Sequence, residues 1–303
     1  MVVLCNPSAH RAHEPFGQLS PARDRVAAAG CLLFLIVGLA CGNDGGDDDI
    51  RDCPVLDGSV AKPAPRAMSL PPPGGRFDYQ IDCPYALPDG VAVVSRDHEA
   101  LPAAGAYNIC YVNAFQTQPS SPWPDELILH DRAGAPVEDP DWRGEHVLDI
   151  TDARKRGEIA GAVGEWITQC AAKGFDAVEL DNLDTYTRFG EQLSRADTIE
   201  YARALLELAH GQFLAVAQKN AAEDSATFHA LGFDFVVAEE CWEPDNDGDC
   251  QAYTAEYGER VFDVEYDESA FLRGCRAGTP PVPLLRDVDV LAPGADYERR
   301  ECP

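Results

Sequence analysis

The stretch 174–186 reads "GFDAVELDNLDTY", and its two halves point to different environments. The apolar first half, bounded by a glycine, is typical of a buried strand. The whole stretch nevertheless contains four carboxylates: Asp176, Glu179, Asp181 and Asp184. Because desolvating several like charges together is costly, such clusters usually bind a ligand or take part in catalysis. The alternative is a strand end that runs into a solvated acidic loop.

Similar short apolar or β-branched runs recur along the chain. They are "FDYQI" at 77–81, "VAVVS" at 91–95, "YNICYV" at 107–112, "HVLDI" at 146–150, "FDAVEL" at 175–180, "FLAVAQ" at 213–218, "FDFVVA" at 233–238 and "VFDVEY" at 261–266. Segments with helical spacing, such as 158–173 and 198–211, lie between several of them. This alternation predicts an α/β fold, a single-domain (β/α)8 barrel of the TIM type. A doubly wound open sheet is the structural alternative, although no Gly-rich phosphate fingerprint follows the first run.

The alternation of side chains along a strand sharpens the question that the carboxylates raise. Residues two apart share a face of the sheet. In four runs, the face that carries the first residue also carries a charged residue at the C-terminal end. These charged residues are Glu179 with Asp181, Lys219, Glu239 and Glu265. In a barrel these strand ends form the rim where active sites lie. The pattern favours a functional site over a solvated loop.

The first part of the chain reads as an export leader and a tether. Two arginines precede the apolar run "VAAAGCLLFLIVGLAC", which ends at Cys41 and is short for a membrane span. Its end resembles the lipobox of bacterial lipoproteins, which predicts lipidation of Cys41 and membrane contact through that anchor only. An ordinary secretory signal and an uncleaved anchor are the alternatives. We expect a leader over 1–41, a disordered Gly/Asp/Pro-rich tether over 42–74 and the folded domain over 75–303.

Cysteine usage fits an exported protein. The chain has 11 cysteines, and an even number follows the leader, which predicts disulfide bonds. The expected pairs are Cys241 with Cys250 and Cys275 with Cys302. No CxxC spacing occurs, and the acidic segment 242–249 does not fit an EF-hand loop. We therefore expect neither a metal nor a cofactor.

The charge balance restricts the partners. The chain carries 52 acidic and 24 basic residues, a net charge of −28. We expect no nucleic acid partner, because phosphate contacts need clustered Lys and Arg. A cationic ligand would be attracted by this field, although acidity also keeps an exported protein soluble. We expect a monomer.

Paired carboxylates at one rim suit glycoside hydrolysis, in which one attacks or stabilises the anomeric carbon while the other protonates the leaving oxygen. Eight segments carry a resemblance that agrees with this chemistry. They are "DYQI" at 78–81, "ICYVNAF" at 109–115, "PWPDELIL" at 122–129, "WRGEHVLDI" at 142–150, "AAKGFDAVELDNLDTY" at 171–186, "AVAQKN" at 215–220, "FDFVVAEEC" at 233–241 and "VFDVEYD" at 261–267. In this order they resemble glycoside hydrolase family 114, the endo-α-1,4-polygalactosaminidases.

The resemblance implies a barrel hydrolase that cleaves α-1,4-linked galactosamine polymers internally and with retention of configuration. The family's E-P-D-N corresponds to 179–182, which makes Asp181 the expected nucleophile, and its N-E-Q-C corresponds to 238–241, which makes Glu239 the expected acid/base. Leu180, Ala238 and Glu240 depart from those patterns. The residues expected to line the substrate groove are Gln80, Tyr111, Asp149, Glu179, Asn182, Tyr186, Lys219, Asn220, Glu240 and Glu265. The expected substrate is a cationic or partly deacetylated galactosamine polysaccharide.

Other functions remain open at the level of sequence. The main one is a surface lipoprotein that binds polysaccharide on a degenerate barrel without cleaving it. The presence of both Asp181 and Glu239 favours the enzyme. Lys219 could also form a Schiff base, but a buried lysine more often pairs with carboxylates. An inverting hydrolase is a further variant, which a wider separation of the two carboxylates would support.

Overall fold

One sheet organises the part of the chain that the structure, a computed structural model, describes: residues 61, 63–64, 67–119, 121 and 123–303. Its strands are β1 Phe77–Gln80, β2 Val93–Asp97, β3 Tyr107–Asn113, β4 Ala177–Asp181, β5 Ala215–Lys219, β6 Phe235–Glu239, β7 Val261–Glu265, β8 Pro283–Arg286 and β9 Arg299–Glu301. The strands follow one another in chain order, with β1 to β8 parallel and β9 antiparallel to β8. The expected leader, its Cys41 and most of the expected tether lie outside the described residues.

Helices connect most of the strands from β3 onward. Among the described residues they are α1 Ala153–Lys173, α2 Thr185–Arg188, α3 Arg195–Gly211, α4 Ser225–Leu231, α5 Asp249–Tyr257 and α6 Glu268–Ala277. The connections β1–β2 and β2–β3, which are described in full, contain no helix, and β9 takes the place of a helix after β8. No helix in the described ranges has the length and apolar character that crossing a bilayer would need. The domain is thus a TIM-type α/β barrel with a reduced helical layer.

Local sequence explains where the longest helix begins and ends. The side chain of Asp152 accepts hydrogen bonds from the backbone N–H groups of Arg154 and Lys155 at the first turn of α1. Gly174 ends the helix in the left-handed conformation, at φ 88°, which glycine adopts without a Cβ clash. The predicted helical segment 158–173 is therefore present and extended by one turn at its N-terminus.

The sheet separates two apolar layers, as side-chain alternation requires. The barrel interior is filled from the inner faces of the strands, by Phe77, Tyr79, Val93, Ile109, Ala177, Ala215, Ala217, Phe235, Val237, Phe262, Val264 and Leu284. The opposite faces, including Val112, Val178, Val216 and Val236, pack in the outer layer with residues of α1 and α3 such as Ile167 and Leu205. On the inner face, β4 begins with Ala177 and β5 with Ala215 and Ala217, and the longer side chains come at the carboxyl ends of both strands.

One of the expected strands is wrong. The run 146–150 lies in the long connection between β3 and α1 and forms only isolated antiparallel bridges, such as Gln116 with Val147 and Ile128 with Leu148. Its apolar residues are buried in the outer layer, which explains why their pattern resembles a strand. The eighth barrel strand is instead β8, a run of only four residues that the sequence pattern does not distinguish from a loop.

Arginine side chains join the last strands to the first. The buried Arg286 of β8 donates hydrogen bonds to the backbone carbonyls of Tyr79, Glu298 and Leu291. Arg299 of β9 forms an ion pair with the buried Asp78 of β1 at 2.7 Å. The fixed, five-donor geometry of guanidinium suits carbonyl oxygens that lack a neighbouring strand. The seam between β8–β9 and β1 is therefore stabilised by side chains.

Disulfide bonds brace the outer side of the barrel. The two expected pairs, Cys241–Cys250 and Cys275–Cys302, are present in the structure. A third bond, between Cys110 of β3 and Cys170 of α1, was not predicted because 60 residues separate the two. Cys83 is also disulfide-bonded. The bonds at Cys170, Cys250 and Cys275 each attach a helix of the outer layer to a second segment.

We predict that Gly274→Ala destabilises the protein by about 1–3 kcal/mol, because α6 packs too closely for a methyl group there. A Cβ at Gly274 would lie 2.7 Å from Cδ1 and Nε1 of Trp242 and from Cγ of Pro283. Gly161→Ala in α1 is the matched control: its Cβ would meet nothing within 4 Å, so alanine should stabilise that helix by about 0.5–1 kcal/mol. Denaturant unfolding of both variants tests this, and equal stabilities would contradict it.

Candidate active site

Four charged side chains converge on the inner face at the carboxyl ends of β4, β5 and β6. Lys219 lies at their centre, with 2% of its side chain exposed. Its Nζ lies 2.8 Å from Oδ1 of Asp181, 3.2 Å from Oε1 of Glu179 and 3.2 Å from Oε2 of Glu239. Three carboxylates therefore surround one ammonium group. Burial alone would lower the pKa of Lys219, but Asp181, Glu239 and Glu179 raise it well above its usual value, so the group stays charged.

The backbone turns in the same unusual way directly after each of these strand ends. Asn182, Asn220 and Glu240 follow Asp181, Lys219 and Glu239, and all three are left-handed, with φ of 62°, 48° and 59°. Asparagine tolerates this region, but for glutamate it costs about 1 kcal/mol. Strained residues of this kind cluster at functional sites, where they aim neighbouring side chains.

Asp181 is held as a carboxylate by several donors. Tyr111 donates its hydroxyl to Oδ2 at 2.5 Å, and the Asn182 amide approaches the same oxygen at 3.3 Å. Burial tends to raise the pKa of Asp181, but the charge of Lys219 and the hydrogen bonds from Lys219 and Tyr111 outweigh it, so the pKa lies below its usual value. With 14% of its side chain exposed, Asp181 remains reachable from solvent.

Glu179 is the inner carboxylate of this cluster, and its side chain is completely buried. It accepts hydrogen bonds from Tyr79 at 2.8 Å and from Ser95 at 2.6 Å, in addition to Lys219. Burial raises its pKa, an effect that Lys219 opposes. Since substrate cannot reach it, Glu179 serves to hold Lys219 and Tyr79 in place.

Glu239 is more open than Glu179, with 23% of its side chain exposed. Tyr266 donates its hydroxyl to Oε1 at 2.5 Å. The backbone N–H of Glu239 donates to the side-chain oxygen of Asn220 at 2.9 Å, which ties the end of β6 to the end of β5. Asp181 and Glu239 are thus the two reachable carboxylates of the cluster.

The connection between β3 and α1 supplies a further carboxyl at the rim. Asn113 donates to Oε2 of Glu145 at 3.1 Å and accepts from Asn182 at 3.1 Å, which links Glu145 to the turn after Asp181. Burial, followed by the charge of Asp181, raises the pKa of Glu145 to about 7. Arg188 forms an ion pair at 2.5 Å with Asp139, which lies in the same connection between β3 and α1 as Glu145.

Several residues expected to line the groove are placed elsewhere. Gln80 lies on the outer face of β1, where its amide donates to Asp78 at 2.7 Å. Asp149 pairs with Lys155 of α1 at 2.5 Å, and Tyr186 donates to Asp224 at 2.7 Å. Their polar groups are occupied in these networks. Glu240, at the rim, is half-buried, and burial followed by Glu239 raises its pKa.

The prediction that Glu265 faces the barrel interior is also wrong. Val261, from which the count was made, packs in the outer layer, whereas Phe262 and Val264 fill the barrel interior. Glu265 therefore points outward, and Tyr266 reaches inward to Glu239. The residues that the sequence argument missed are Ser95, Asn113 and Glu145. Alternation along β2 and β3 places the first two on the inner face, but neither has a charge that would have singled it out.

We predict that Lys219→Met destabilises the protein by about 3–5 kcal/mol, because it leaves Glu179 and Asp181 as buried charges without a counterion. The matched control is Lys155→Met, which removes an ion pair with 24% of its lysine side chain exposed. That change should cost about 1 kcal/mol or less. Denaturant unfolding of both variants at neutral pH tests this. Equal losses would show that the Lys219 pairs do not stabilise the fold.

Known proteins resemble this chain in sequence pattern and in fold. The sequence model of Glycoside-hydrolase family GH114 matches residues 59–302. No curated protein matches the chain. Among solved structures, Ega3 of Aspergillus fumigatus in complex with galactosamine is similar, with a TM-score of 0.60 and 21% identity over 78% of this chain and 100% of that chain. The glycoside hydrolase domain of PelA from Pseudomonas aeruginosa gives a TM-score of 0.47 and 14% identity over 74% of this chain and 99% of that domain.

Proposed function

The chain belongs to glycoside hydrolase family GH114 and is a glycosidase, and from this premise we propose that it cleaves α-1,4-linked galactosamine polysaccharide internally and with retention of configuration. In this proposal Asp181 is the nucleophile and Glu239 the acid/base. The observation that carries it is the pair of reachable carboxylates on one buried ammonium, at 2.8 Å and 3.2 Å from Lys219 Nζ.

Each step uses a group that the site already holds. The Asp181 carboxylate attacks the anomeric carbon while Glu239 gives its proton to the leaving glycosidic oxygen, and a glycosyl ester forms on Asp181. A water then enters, Glu239 takes its proton, and the oxygen attacks the same carbon to release the sugar and restore Asp181. The lowered pKa of Asp181 supports the role of nucleophile, since that group must be ionised before each turnover.

The spacing of the two carboxylates supports retention. Lys219 Nζ lies 2.8 Å from Oδ1 of Asp181 and 3.2 Å from Oε2 of Glu239. Those two oxygens therefore cannot be farther apart than these two distances combined. Inverting enzymes hold their carboxyl groups roughly 6.5–9.5 Å apart, because a water must fit beside the sugar, whereas retaining enzymes hold them roughly 5–5.5 Å apart. Lys219 acts as the spacer that keeps the pair close.

The charge of the protein supports a cationic polymer as substrate. Deacetylated galactosamine carries ammonium groups, and the rim offers the acidic side chains of Glu145 and Glu240 beside the two proposed catalytic groups. The net charge of −28 would raise the local concentration of such a polymer. Ega3, which shares the fold, was solved with galactosamine, and this agrees with the substrate class.

The test is turnover of de-N-acetylated poly-α-1,4-galactosamine by the purified protein, with the fully N-acetylated polymer alongside. We expect a series of shorter oligosaccharides from the deacetylated polymer, because an internal cut gives products of many lengths. Binding without any products would contradict the hydrolase and support a polysaccharide-binding lipoprotein. Release of single sugars alone would contradict internal cleavage.

We further propose that the chain is exported, with a lipid on Cys41, and acts as a monomer. The disulfide bonds of the folded domain support export, because such bonds persist in oxidising compartments. Metabolic labelling with a fatty acid, for the wild type and Cys41→Ser, tests the lipid. Equal labelling of the two would contradict lipidation at Cys41.

A further inference from the structure

Two acidic side chains lie buried on the outer face of β7, on the other side of the sheet from the cluster around Lys219. Asp263 is 1% exposed and Glu265 is fully buried. One oxygen of each, Oδ2 of Asp263 and Oε2 of Glu265, has no hydrogen-bond partner among the described residues. Buried polar atoms of this kind are rare and call for an explanation.

A cation reaches this region: Arg273 of α6, which donates to the backbone carbonyl of Trp242 and not to the pair. Within the described part of the chain, no Lys, Arg or His forms an ion pair with either carboxyl group. The other titratable groups that face them are acidic or phenolic: Glu239, Glu240, Glu243 and Tyr253. Two carboxylates buried together without a cation cannot both be ionised, because like charges in contact strongly disfavour that state. A proton between the two unpartnered oxygens would give both a partner, and an oxygen of Asp263 lies within 4.8 Å of an oxygen of Glu265.

The remaining two oxygens hold the turn that follows Glu239. Oδ1 of Asp263 accepts from the backbone N–H of Cys241 at 3.4 Å, and Oε1 of Glu265 accepts from that of Trp242 at 2.8 Å. The N–H of Glu240 donates to the carbonyl of Val264 at 2.8 Å. Every residue of the turn 240–242 is therefore fixed to β7 by its backbone.

The far end of the same turn is fixed as well. The Trp242 indole donates to the carbonyl of Pro281 at 3.2 Å, and the Trp242 carbonyl accepts from Arg273. The Cys241–Cys250 bond attaches the turn to α5. Glu239 immediately precedes the turn, so the hydrogen bonds from the pair on β7 act directly beside the strand end that carries Glu239.

We propose that Asp263 and Glu265 share a proton and act as a positioning pair, which holds the turn 240–242 and thereby sets the place of Glu239 at the rim. This inference rests on the proposed role of Glu239. The pair touches no substrate and acts through the backbone of the turn. Burial, followed by the charge of Glu265, raises the pKa of Asp263 well above its usual value, and burial raises that of Glu265 to about 7.

The direction of the pH effect follows from these shifts. In the unfolded chain Asp263 and Glu265 release their protons at about pH 4, whereas in the folded protein they keep them to higher pH. The folded state therefore binds more protons across this window, and its stability falls as pH rises from about 4 to about 7. The denaturation midpoint of the wild type should be higher at about pH 5 than at about pH 8.

Amide substitutions test the shared proton. In Asp263→Asn the amide oxygen still accepts from Cys241, and its NH2 donates to Glu265; Glu265→Gln reverses the donor and the acceptor. Each single variant should keep the wild-type midpoint at about pH 7 and kcat within about 3-fold, and Asp263→Asn should show a smaller pH dependence than the wild type. The double variant places two NH2 groups face to face, so its midpoint should fall far more than the two single changes together. Glu207→Gln, an exposed change on α3, is the control.

Positioning is tested by Asp263→Ala, which removes the hydrogen bond to Cys241. We expect kcat to fall about 10- to 100-fold with little change in KM, because a small displacement of a reacting group has effects of that size. Recovery by Asp263→Asn at the same pH separates positioning from general loss of packing.

Three results would overturn the proposal: a double-amide variant as stable as the singles, an unchanged pH dependence in Asp263→Asn, or a wild-type midpoint that drops on chelation with EDTA. The last would indicate that a divalent cation joins the pair. The midpoints require no substrate. A wild type that cleaves no galactosamine polymer but shows these midpoints would therefore refute the proposed substrate and leave the shared proton standing.

Discussion

Asp181→Asn is expected to lower kcat about 10⁴-fold or more, the size of loss that follows removal of a catalytic nucleophile. Asparagine has the shape of aspartate; its one oxygen can still accept from Lys219 while its NH2 donates to the Tyr111 hydroxyl, so the fold should be retained. It cannot attack the anomeric carbon to form the ester. Initial rates on deacetylated polymer, together with circular dichroism to confirm folding, measure the effect.

The control for this change is Asp289→Asn, an exposed aspartate for which we expect wild-type rates. Mass spectrometry of the wild type after reaction with a 2-deoxy-2-fluoro or similar slow substrate should find the sugar on the peptide that contains Asp181. If Asp181→Asn keeps more than about a tenth of the wild-type rate, Asp181 is not the nucleophile.

Glu239→Gln should lower kcat on polymer about 10²- to 10⁴-fold, because the leaving oxygen no longer receives a proton. The loss should be much smaller on an aryl galactosaminide with an acidic phenol, which departs without protonation. The ratio of the two losses is the measurement, since it separates an acid from a residue that only binds. Equal losses on both substrates would contradict the assignment.

Glu145 provides the sharpest comparison for that experiment. It is a further carboxyl near Asp181, and its pKa is raised to about 7, a value that also suits a general acid. We expect Glu145→Gln to affect both substrates equally, as a wall residue should. A leaving-group effect in Glu145→Gln and none in Glu239→Gln would transfer the acid role to the β3–α1 connection.

Alternation along the strands predicted much of this site and failed at one strand for a physical reason. At β4, β5 and β6 the count reached the inner positions of Asp181, Lys219 and Glu239, since Ala177, Ala215 and Phe235 face the interior. At β7 the count was made on Val261, which faces outward, so it selected Glu265 instead of Tyr266. Apolar residues line both faces of a parallel barrel strand, so hydrophobicity alone does not fix which face is inner.

Long-range features were beyond the sequence for other reasons. The Cys110–Cys170 bond and the seam at Arg286 join segments whose proximity arises only when the sheet closes. The segment 146–150 has the apolar content of a strand but packs as part of a long connection. The proton shared by Asp263 and Glu265 depends on Arg273 pairing with the carbonyl of Trp242 and not with the two carboxyl groups, which no spacing pattern encodes.

The most direct test of the central claim, that Asp181 and Glu239 form a retaining pair, is proton NMR of the products during the first minutes of hydrolysis by the wild type. Retention at an α-1,4 linkage releases the new reducing end as the α-anomer, which then equilibrates with the β-anomer. We predict that the α-anomer signal appears first. Appearance of the β-anomer first would show inversion and would contradict the covalent role of Asp181.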